Sequence, residues 1–502
     1  MAREFFSIAF ISFWILLFRP VYGQQESRPN LIVFLVDDMG WQDASVPFAD
    51  STTVLNKIFR TPAMEKLAAM GMKFTNAYGN PVCTPTRVSI LTGAASARHR
   101  VTNWTNVKRD QPTDYPDEKL LPPKWNYNGL QPHSEIPNSF HSLLLPELLR
   151  ANGYKTLHIG KAHFAPYGTP GSDPKNLGFD VNISGTAAGH PGSFLGSKNF
   201  RGGPNDSLWA VPDLDRFHGS ETFLTEALTI RAIEELEKIN SNEPFFLHLS
   251  HFAVHLPFDL DNRFYETYRL RGLSETEARY ASLVSGMDKS LGDLLGYLER
   301  TGRLENTYLF FLSDNGGLTL TPQRGGLPHT QNAPLRLGKG SVYEGGIRIP
   351  FLVAGPGIGR GIASDFPIAV QDLFPTLLKL SRTDLPTSDG IDLSVFWNGK
   401  KGPPSSRELL WHYPHHWTKN SEGGLSWSTA YRNGHYKLIW FHRTGKLEMY
   451  DLQKDPGETN DLYSTNSSNA KRMKKLMGKS LKSHAAQLPI ERSTGRDLSF
   501  PD

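Results

Sequence analysis

Leu31-Ile32-Val33-Phe34-Leu35-Val36, followed at once by Asp37-Asp38, is the stretch on which the fold turns. A run of consecutive apolar residues, rich in β-branched side chains, has no polar face to show to water. Such a run reads as a central strand of a parallel sheet, covered on both sides. The two carboxylates that close it then fall at the C-terminal edge of that sheet, where open α/β folds place their sites.

Outward from this strand, Thr61-Pro62-Ala63-Met64-Glu65 offers an N-cap candidate, a proline at the first helical position and an acid in the first turn, so a helix is expected there. Further strand-like runs lie at 154–159, 245–250, 308–312 and 351–354, and helical patterns at 140–151, 221–239, 275–298 and 372–380. Strands alternating with helices argue for an α/β fold with a large doubly wound, mixed and mostly parallel sheet. Beyond Ser381 the texture changes to short alternating strands at 408–412, 427–431, 436–441 and 447–452, then a lysine-rich helical stretch at 469–483 expected to pack on them. The expected organisation is a signal peptide over 1–23, a catalytic domain over 24–385, and a smaller C-terminal α+β domain with an antiparallel sheet over 386–502. Residues 382–404 form the boundary.

Composition excludes several classes of function. With 54 Lys and Arg against 50 Asp and Glu, spread rather than blocked, the chain shows no polybasic arm for nucleic acid. Its 35 prolines and 45 glycines imply long ordered loops, where binding residues concentrate. Arg3, the apolar run from Phe5 to Phe18, and Val21 and Gly23 before a polar start at Gln24 follow a secretory signal pattern. The run is shorter than the ~20 residues that span a bilayer, so a stable membrane anchor is not expected. Export meets an oxidising compartment, yet the chain has a single cysteine. That favours a bacterial periplasmic or secreted protein, although sequons at Asn103, Asn182, Asn205 and Asn466 keep a glycosylated source open.

The lone cysteine lies in Pro81-Val82-Cys83-Thr84-Pro85-Thr86-Arg87. Asp37-Asp38 ends one expected strand and Asp314-Asn315 ends another, giving a hard, all-oxygen donor set suited to Ca²⁺ or Mg²⁺. Gly160-Lys161-Ala162-His163 and Ser250-His251-Phe252-Ala253-Val254-His255 each follow a strand on the same expected edge, and Gly338-Lys339-Gly340-Ser341-Val342-Tyr343-Glu344-Gly345-Gly346 precedes another strand. His158, His248 and His251 read as structural.

Cys83-x-Pro85-x-Arg87 resembles the maturation motif of the type I, formylglycine-dependent sulfatases of the alkaline phosphatase-like superfamily, and the other motifs resemble that family's patterns from residue 30 to about 462. The resemblance implies that a formylglycine-generating or anaerobic sulfatase-maturating enzyme converts Cys83 to formylglycine (3-oxoalanine). It implies that Asp37, Asp38, Asp314 and Asn315, with the converted Cys83, bind Ca²⁺. Catalytic roles fall on Cys83, Arg87, Lys161, His163, His255 and Lys339. The hydrated aldehyde attacks sulfur and becomes a sulfate ester, while Ca²⁺ and Lys161 stabilise the sulfuryl oxygens. His255, with Lys339 nearby, protonates the departing oxygen; His163 then takes a proton so that the hemiacetal expels sulfate. Arg87 holds the modified residue and the carboxylates.

A calcium-dependent enzyme acting on O-sulfate esters of a sulfated carbohydrate is the resulting expectation, with loops 94–137, 184–216 and 322–334 selecting the sugar and the 411–417 stretch as a candidate pocket wall. A phosphoryl ester hydrolase of the same superfamily and a non-catalytic binder of sulfated glycans are the alternatives.

Overall fold

The computed structural model describes residues 28–319, 332–397, 407–418 and 424–501. The expected signal segment, most of the 322–334 loop and part of the 382–404 boundary lie outside the described residues. Among the described residues no helix is long and apolar enough to cross a membrane.

An eight-stranded sheet forms the centre. From one edge to the other its strands are Ile362–Ser364, Met72–Phe74, Phe351–Ala354, Thr307–Ser313, Asn30–Val36, Phe245–Ser250, Lys155–Gly160 and Val181–Ile183. The strands from Thr307–Ser313 to Val181–Ile183 are mutually parallel. Phe351–Ala354 runs antiparallel to Thr307–Ser313, a direction that an apolar run cannot encode because both arrangements bury it equally.

The Asn30–Val36 strand is buried along its whole length. Its alternate residues serve two separate cores. Ile32, Phe34 and Val36 pack with residues of the helices Pro62–Met70, Leu224–Glu237 and Glu275–Arg300. Leu31, Val33 and Leu35 pack with residues of Cys83–Thr92, Leu145–Ala151 and Leu373–Leu380. Helices on both faces explain why the strand carries no polar alternation.

Two local expectations are corrected. The helix expected over 140–151 begins only at Leu145, because Pro146 fits the first turn but restricts the residues before it. Phe140 is instead tied to the neighbouring loop, its carbonyl accepting from Gln131 N at 2.8 Å. The helix Pro62–Met70 starts as expected, but Thr61 makes no side-chain cap. Asp288, from a distant helix, accepts from Ala63 N at 3.0 Å and Met64 N at 2.9 Å instead.

A smaller antiparallel sheet of four strands comes next in the chain, in the order Glu408–Tyr413, Ser428–Asn433, Tyr436–Phe441, Leu447–Asp451. The helix Ser467–Ser483 covers one face, with Ala470, Met473, Met477 and Leu481 packed on Leu438, Trp440 and Met449. The other face, through Trp411, Tyr413 and Ile439, packs on Tyr78, Val82, Tyr343 and Ile347 of the larger body. The protein therefore combines a large mixed, mostly parallel α/β sheet with a smaller antiparallel-sheet unit.

Candidate active site

Strand register decides which residues meet. Leu35 pairs with Ser250 on one side and Leu312 on the other, Val36 with Ser313, and Gly160 with Ser250. Neighbouring strands thus end at one level, and the residues just past their C-terminal ends gather at the same edge: Asp37 and Asp38, Asp314 and Asn315, Lys161 and His163, His251 to His255. The helix Cys83–Thr92 presents its first residue to this edge, and every residue of that helix is buried.

The polar side chains interlock. Cys83 Sγ lies 3.6 Å from Asp37 Oδ1. Lys161 Nζ donates to Asp37 Oδ2 at 2.5 Å. Lys339 Nζ is 2.8 Å from both oxygens of Asp38, and His255 Nε2 is 3.5 Å from Asp38 Oδ2. Asn315 Nδ2 donates to Asp38 Oδ1 at 2.7 Å. Ligand atoms of Asp37, Asp38, Cys83 and His255 all lie within 4.8 Å of one another.

Asp314 has a different setting from the other two carboxylates. Its Oδ2 accepts from Arg87 Nη2 at 2.8 Å and Nε at 3.1 Å, and its Oδ1 accepts from Asp38 N at 3.2 Å. Arg87 Nη1 also donates to Ser250 Oγ at 2.7 Å and to the Lys161 carbonyl at 2.9 Å. One fully buried guanidinium therefore ties together the ends of several strands, a task suited to its rigid fork of donors. His163 Nε2 is held by the Thr105 carbonyl at 2.9 Å. Gly189 leaves room for its ring, since a Cβ there would lie 2.6 Å from His163 Cε1.

Burial and charge set the protonation states. Burial pushes the Cys83 thiol up to about 12, with Lys161 and Lys339 only partly opposing it. Burial, the Asp314 charge and the Asp38 charge raise Asp37 to about 7 against the pull of Lys161 and Arg87. For Asp38 burial acts upward too, but Lys339 and His255 outweigh it and hold the carboxyl below its usual range. Burial, then the nearby ammonium groups, keep His163 and His255 well below the ordinary histidine value.

The donor set fits a hard cation. Asp37 and Asp38 offer carboxylate oxygens, and Asn315 Oδ1 is buried with no hydrogen-bond partner, an arrangement costly unless a ligand completes it. Asp38 and His163 also hold positive φ values, 60° and 51°, a backbone strain that concentrates at functional sites. Asp37, Lys161, Arg87, Asp314 and Asn315 are fully buried, whereas His163, Lys339 and His255 are 3%, 7% and 9% exposed. The opening to solvent is therefore on the histidine and Lys339 side.

Sequence reasoning missed several partners. Thr86 Oγ1 donates to the Asp314 carbonyl at 2.6 Å, and Ser250 Oγ meets Arg87; a polar residue closing an otherwise apolar strand was the available signal at Ser250. His190 stacks on His255 with centroids 5.9 Å apart and planes at 7°, and no local pattern announces it. The expected wall at 411–417 is corrected in part. Trp417 abuts Gly340, where a Cβ would meet its ring at 2.0 Å, but Trp411 is buried at the seam and donates to the Gly79 carbonyl at 2.9 Å. His415 is likewise buried, between Asp114 and Thr102. His158 and His248 bond each other in the core, and His251 bonds Ser290.

Comparison with known proteins agrees with this geometry. The sequence model of the Sulfatase family matches residues 29–383, and that of the N-sulphoglucosamine sulphohydrolase C-terminal region matches 337–487. A sulfatase of Formosa agariphila is 26% identical, covering 93% of this chain and 91% of its own. The mouse N-acetylgalactosamine-6-sulfatase is 32% identical over 73% of this chain, which spans 65% of that enzyme's length. The crystal structure of Ps i-CgsB in complex with k-i-k-neocarrahexaose shares the fold, with a TM-score of 0.70 at 23% identity over 90% of this chain and 93% of that one. A family match across most of the chain, on a fold that gathers the family's motif residues at one sheet edge, leaves one assignment: the chain belongs to the sulfatase family of sulfuric ester hydrolases.

Proposed function

We propose that this sulfatase hydrolyses O-sulfate esters of a sulfated carbohydrate, with a formylglycine made from Cys83 as nucleophile and Ca²⁺ held by Asp37, Asp38, Asp314 and Asn315. The observation that carries the reading is the setting of Cys83. Its Sγ, standing where an oxygen of the hydrated aldehyde would be, lies 3.6 Å from Asp37 Oδ1 inside the buried acid cluster. As a thiol, pushed up to about 12, it is protonated at neutral pH and a poor nucleophile. Conversion replaces it with a hydrated aldehyde, whose hydroxyl is the attacking group.

When bound, the cation supplies Lewis-acid stabilisation of charge on the sulfuryl oxygens. The remaining work belongs to the chain. Lys161, on Asp37, and Lys339, on Asp38, bring positive charge to bear on Cys83 and are the groups to bind sulfate oxygens in a water-poor site. His255, at the exposed side beside Lys339, keeps Nδ1 on the Leu256 carbonyl at 2.8 Å and turns Nε2 inward; neutral in the free protein, it can give a proton to the departing sugar oxygen only after the bound anion has favoured its protonated form. His163, fixed by the Thr105 carbonyl, has an unpartnered Nδ1 available to take a proton from the nucleophile. Arg87 keeps Asp314 and the strand ends in register. The ion pairs of Asp37, Asp38 and Asp314 with Lys161, Lys339 and Arg87 are balanced one for one, so a bound divalent cation leaves the site net positive, as an anionic substrate requires.

Relatives named for N-acetylgalactosamine 6-sulfate, and a neighbour holding neocarrahexaose, support a saccharide substrate. We read residues 1–23 as a signal peptide and the mature protein as periplasmic or secreted, and 24–385 and 386–502 as its domains. The test is release of sulfate from sulfated disaccharides and 4-methylumbelliferyl sulfate by protein co-expressed with a maturating enzyme. Activity lost in EGTA and restored by Ca²⁺ is expected. Phosphate ester turnover exceeding sulfate ester turnover, or full activity in Cys83→Ala, overturns the reading.

A further inference from the structure

A cleft of about 680 Å³, lined by Tyr167, Thr186, Arg201, Ser207, Asp215 and His218 among others, opens beside the active-site edge. Two contacts join it to the catalytic side chains. The Thr186 carbonyl accepts from His163 N at 3.0 Å, so the segment that seats His163 also forms the cleft wall. Between the lining residues Ser207 and Ala210 in the chain, Trp209 stacks on His190, centroids 4.0 Å apart and planes at 14°, and His190 stacks in turn on His255. An aromatic stack therefore joins the residue assigned to the departing sugar oxygen to the 207–210 segment, whose Ser207 and Ala210 line the cleft.

The polar groups of this wall are incompletely satisfied. Among the described residues the Arg201 side chain makes no hydrogen bond, ion pair or ring contact, and its Nε is buried without a partner; so is His218 Nε2. The nearby acids do not answer Arg201. Asp206 accepts from Gly202 N at 2.8 Å and Trp209 N at 3.0 Å, and Asp215 lies 3.7 Å from His218 Nδ1. Arg201 is half-buried: its Nε is sealed from water without a partner while the rest of its guanidinium has no partner among the described residues, so an anionic ligand in the cleft can take up both. A guanidinium matches a carboxylate or sulfate with two parallel hydrogen bonds. Tyr167, Thr186 and Ser207 add hydroxyls suited to sugar hydroxyls, and polar groups converging beside an aromatic ring, here that of Tyr167, are the usual make-up of a small-molecule site.

We infer that this cleft is a subsite for the sugar next to the sulfated one, and that Arg201 binds an acidic group on that neighbour. The inference rests on the proposed action on a sulfated carbohydrate. It makes the enzyme prefer chains of two or more acidic residues over isolated sulfated monosaccharides.

The test compares the full chain with its Arg201→Gln, Arg201→Lys and His218→Gln variants. Binding of ι-carrageenan and chondroitin 6-sulfate tetrasaccharides is read by calorimetry on a Cys83→Ala background, and turnover of both and of 4-methylumbelliferyl sulfate is read on matured protein. Arg201→Gln is expected to weaken binding of at least one tetrasaccharide about tenfold, as for loss of a charged hydrogen bond, with partial recovery in Arg201→Lys. The ratio of tetrasaccharide to aryl sulfate kcat/KM falls by the same factor, through KM. A loss confined to chondroitin assigns Arg201 a carboxylate; one confined to carrageenan assigns it a sulfate. Failure of both tetrasaccharides to bind, or affinities within twofold in folded Arg201→Gln and His218→Gln, overturns the subsite. Wild-type protein that binds tetrasaccharide through Arg201 but cleaves no sulfate ester sinks the proposed function and leaves the cleft standing.

Discussion

Two buried clusters of opposite charges lie at the two ends of the short segment from Lys339 to Glu344, and they are built differently. At the sheet edge, Asp37, Asp38 and Asp314 face Lys161, Lys339 and Arg87. At the seam with the smaller sheet, Lys437 Nζ lies 2.8 Å from both Glu344 and Glu458, with the Tyr78 hydroxyl 2.7 Å and Arg348 3.5 Å from Glu344. Lys437, Glu344 and Glu458 are all wholly buried. Shifted carboxyls occur in both clusters, so perturbed charge alone does not mark an active site. What separates them is completion. The edge cluster opens to solvent at His163, Lys339 and His255 and leaves Asn315 Oδ1 and His163 Nδ1 without a partner, whereas at the seam the Lys437 ammonium takes up Glu458 Oε1 at 2.8 Å; positive φ does not separate the two, since Glu458 (55°) shares it with Asp38 and His163. The seam cluster is closed to solvent and joins two bodies of the protein.

Substitution at the edge should therefore strike turnover, and substitution at the seam should strike stability. The largest effect is expected for Cys83→Ala, which lowers kcat by about 10⁴-fold or more in matured preparations with the melting temperature nearly retained. Next comes His255→Ala, with kcat reduced about 10²–10⁴-fold on an alkyl sugar sulfate, and less on an aryl sulfate whose leaving oxygen needs less protonation. An equal loss on both esters would remove His255 from the proton-donor role. At the seam, Lys437→Met leaves two buried acids facing each other and is expected to cost about 3–5 kcal/mol in urea denaturation. Turnover per folded molecule should stay within twofold, and a fall as large as that of His255→Ala would erase the distinction between the clusters.

The smallest effect is a pH dependence at the seam. Burial pushes Glu458 up to about 7 from 4.5, with Glu344 adding and Lys437 opposing. The folded state thus holds this proton more tightly than the unfolded one. Its stabilising contribution is complete below about pH 4.5 and declines as pH rises to about 7. Glu458→Gln, which cannot ionise, should gain melting temperature relative to the parent between pH 5 and 7.5. A difference that is flat or opposite in sign would show that Lys437 keeps Glu458 charged throughout.

The edge was far more legible in the sequence than the seam. Asp37-Asp38 and Asp314-Asn315 follow apolar runs, and a strand end at a parallel sheet's edge is a position that local pattern and fold class define together. The strands before Lys161 and His251 were readable for the same reason, whereas the helix Cys83–Thr92 was not among the expected elements. Lys437 and Glu458 gave no such signal. Lys437 sits in an alternating strand where a lysine reads as solvent-facing, and only the docking of one sheet on another body buries it. Contacts to backbone were equally hidden: nothing near Thr105 reveals that its carbonyl holds His163, and the Asp288 cap on Ala63 and Met64 joins residues distant in the chain. Asn103 shows the reverse case, a motif that the sequence leaves open and burial closes. Its sequon is intact, but the side chain is fully buried and bonded to Tyr413 and Trp104 N, so it offers no place for a glycan.

In the proposed mechanism the reactive group at position 83 is an aldehyde held in the acid cluster. That assignment is tested most directly by the mass of the tryptic peptide from Phe74 to Arg87, taken from a preparation whose specific sulfatase activity is measured in parallel. The peptide is expected to be lighter by the difference between a CH₂SH and a CHO group, in a fraction that rises in proportion to activity across preparations. Full activity in material whose residue 83 is entirely unmodified cysteine would contradict that assignment.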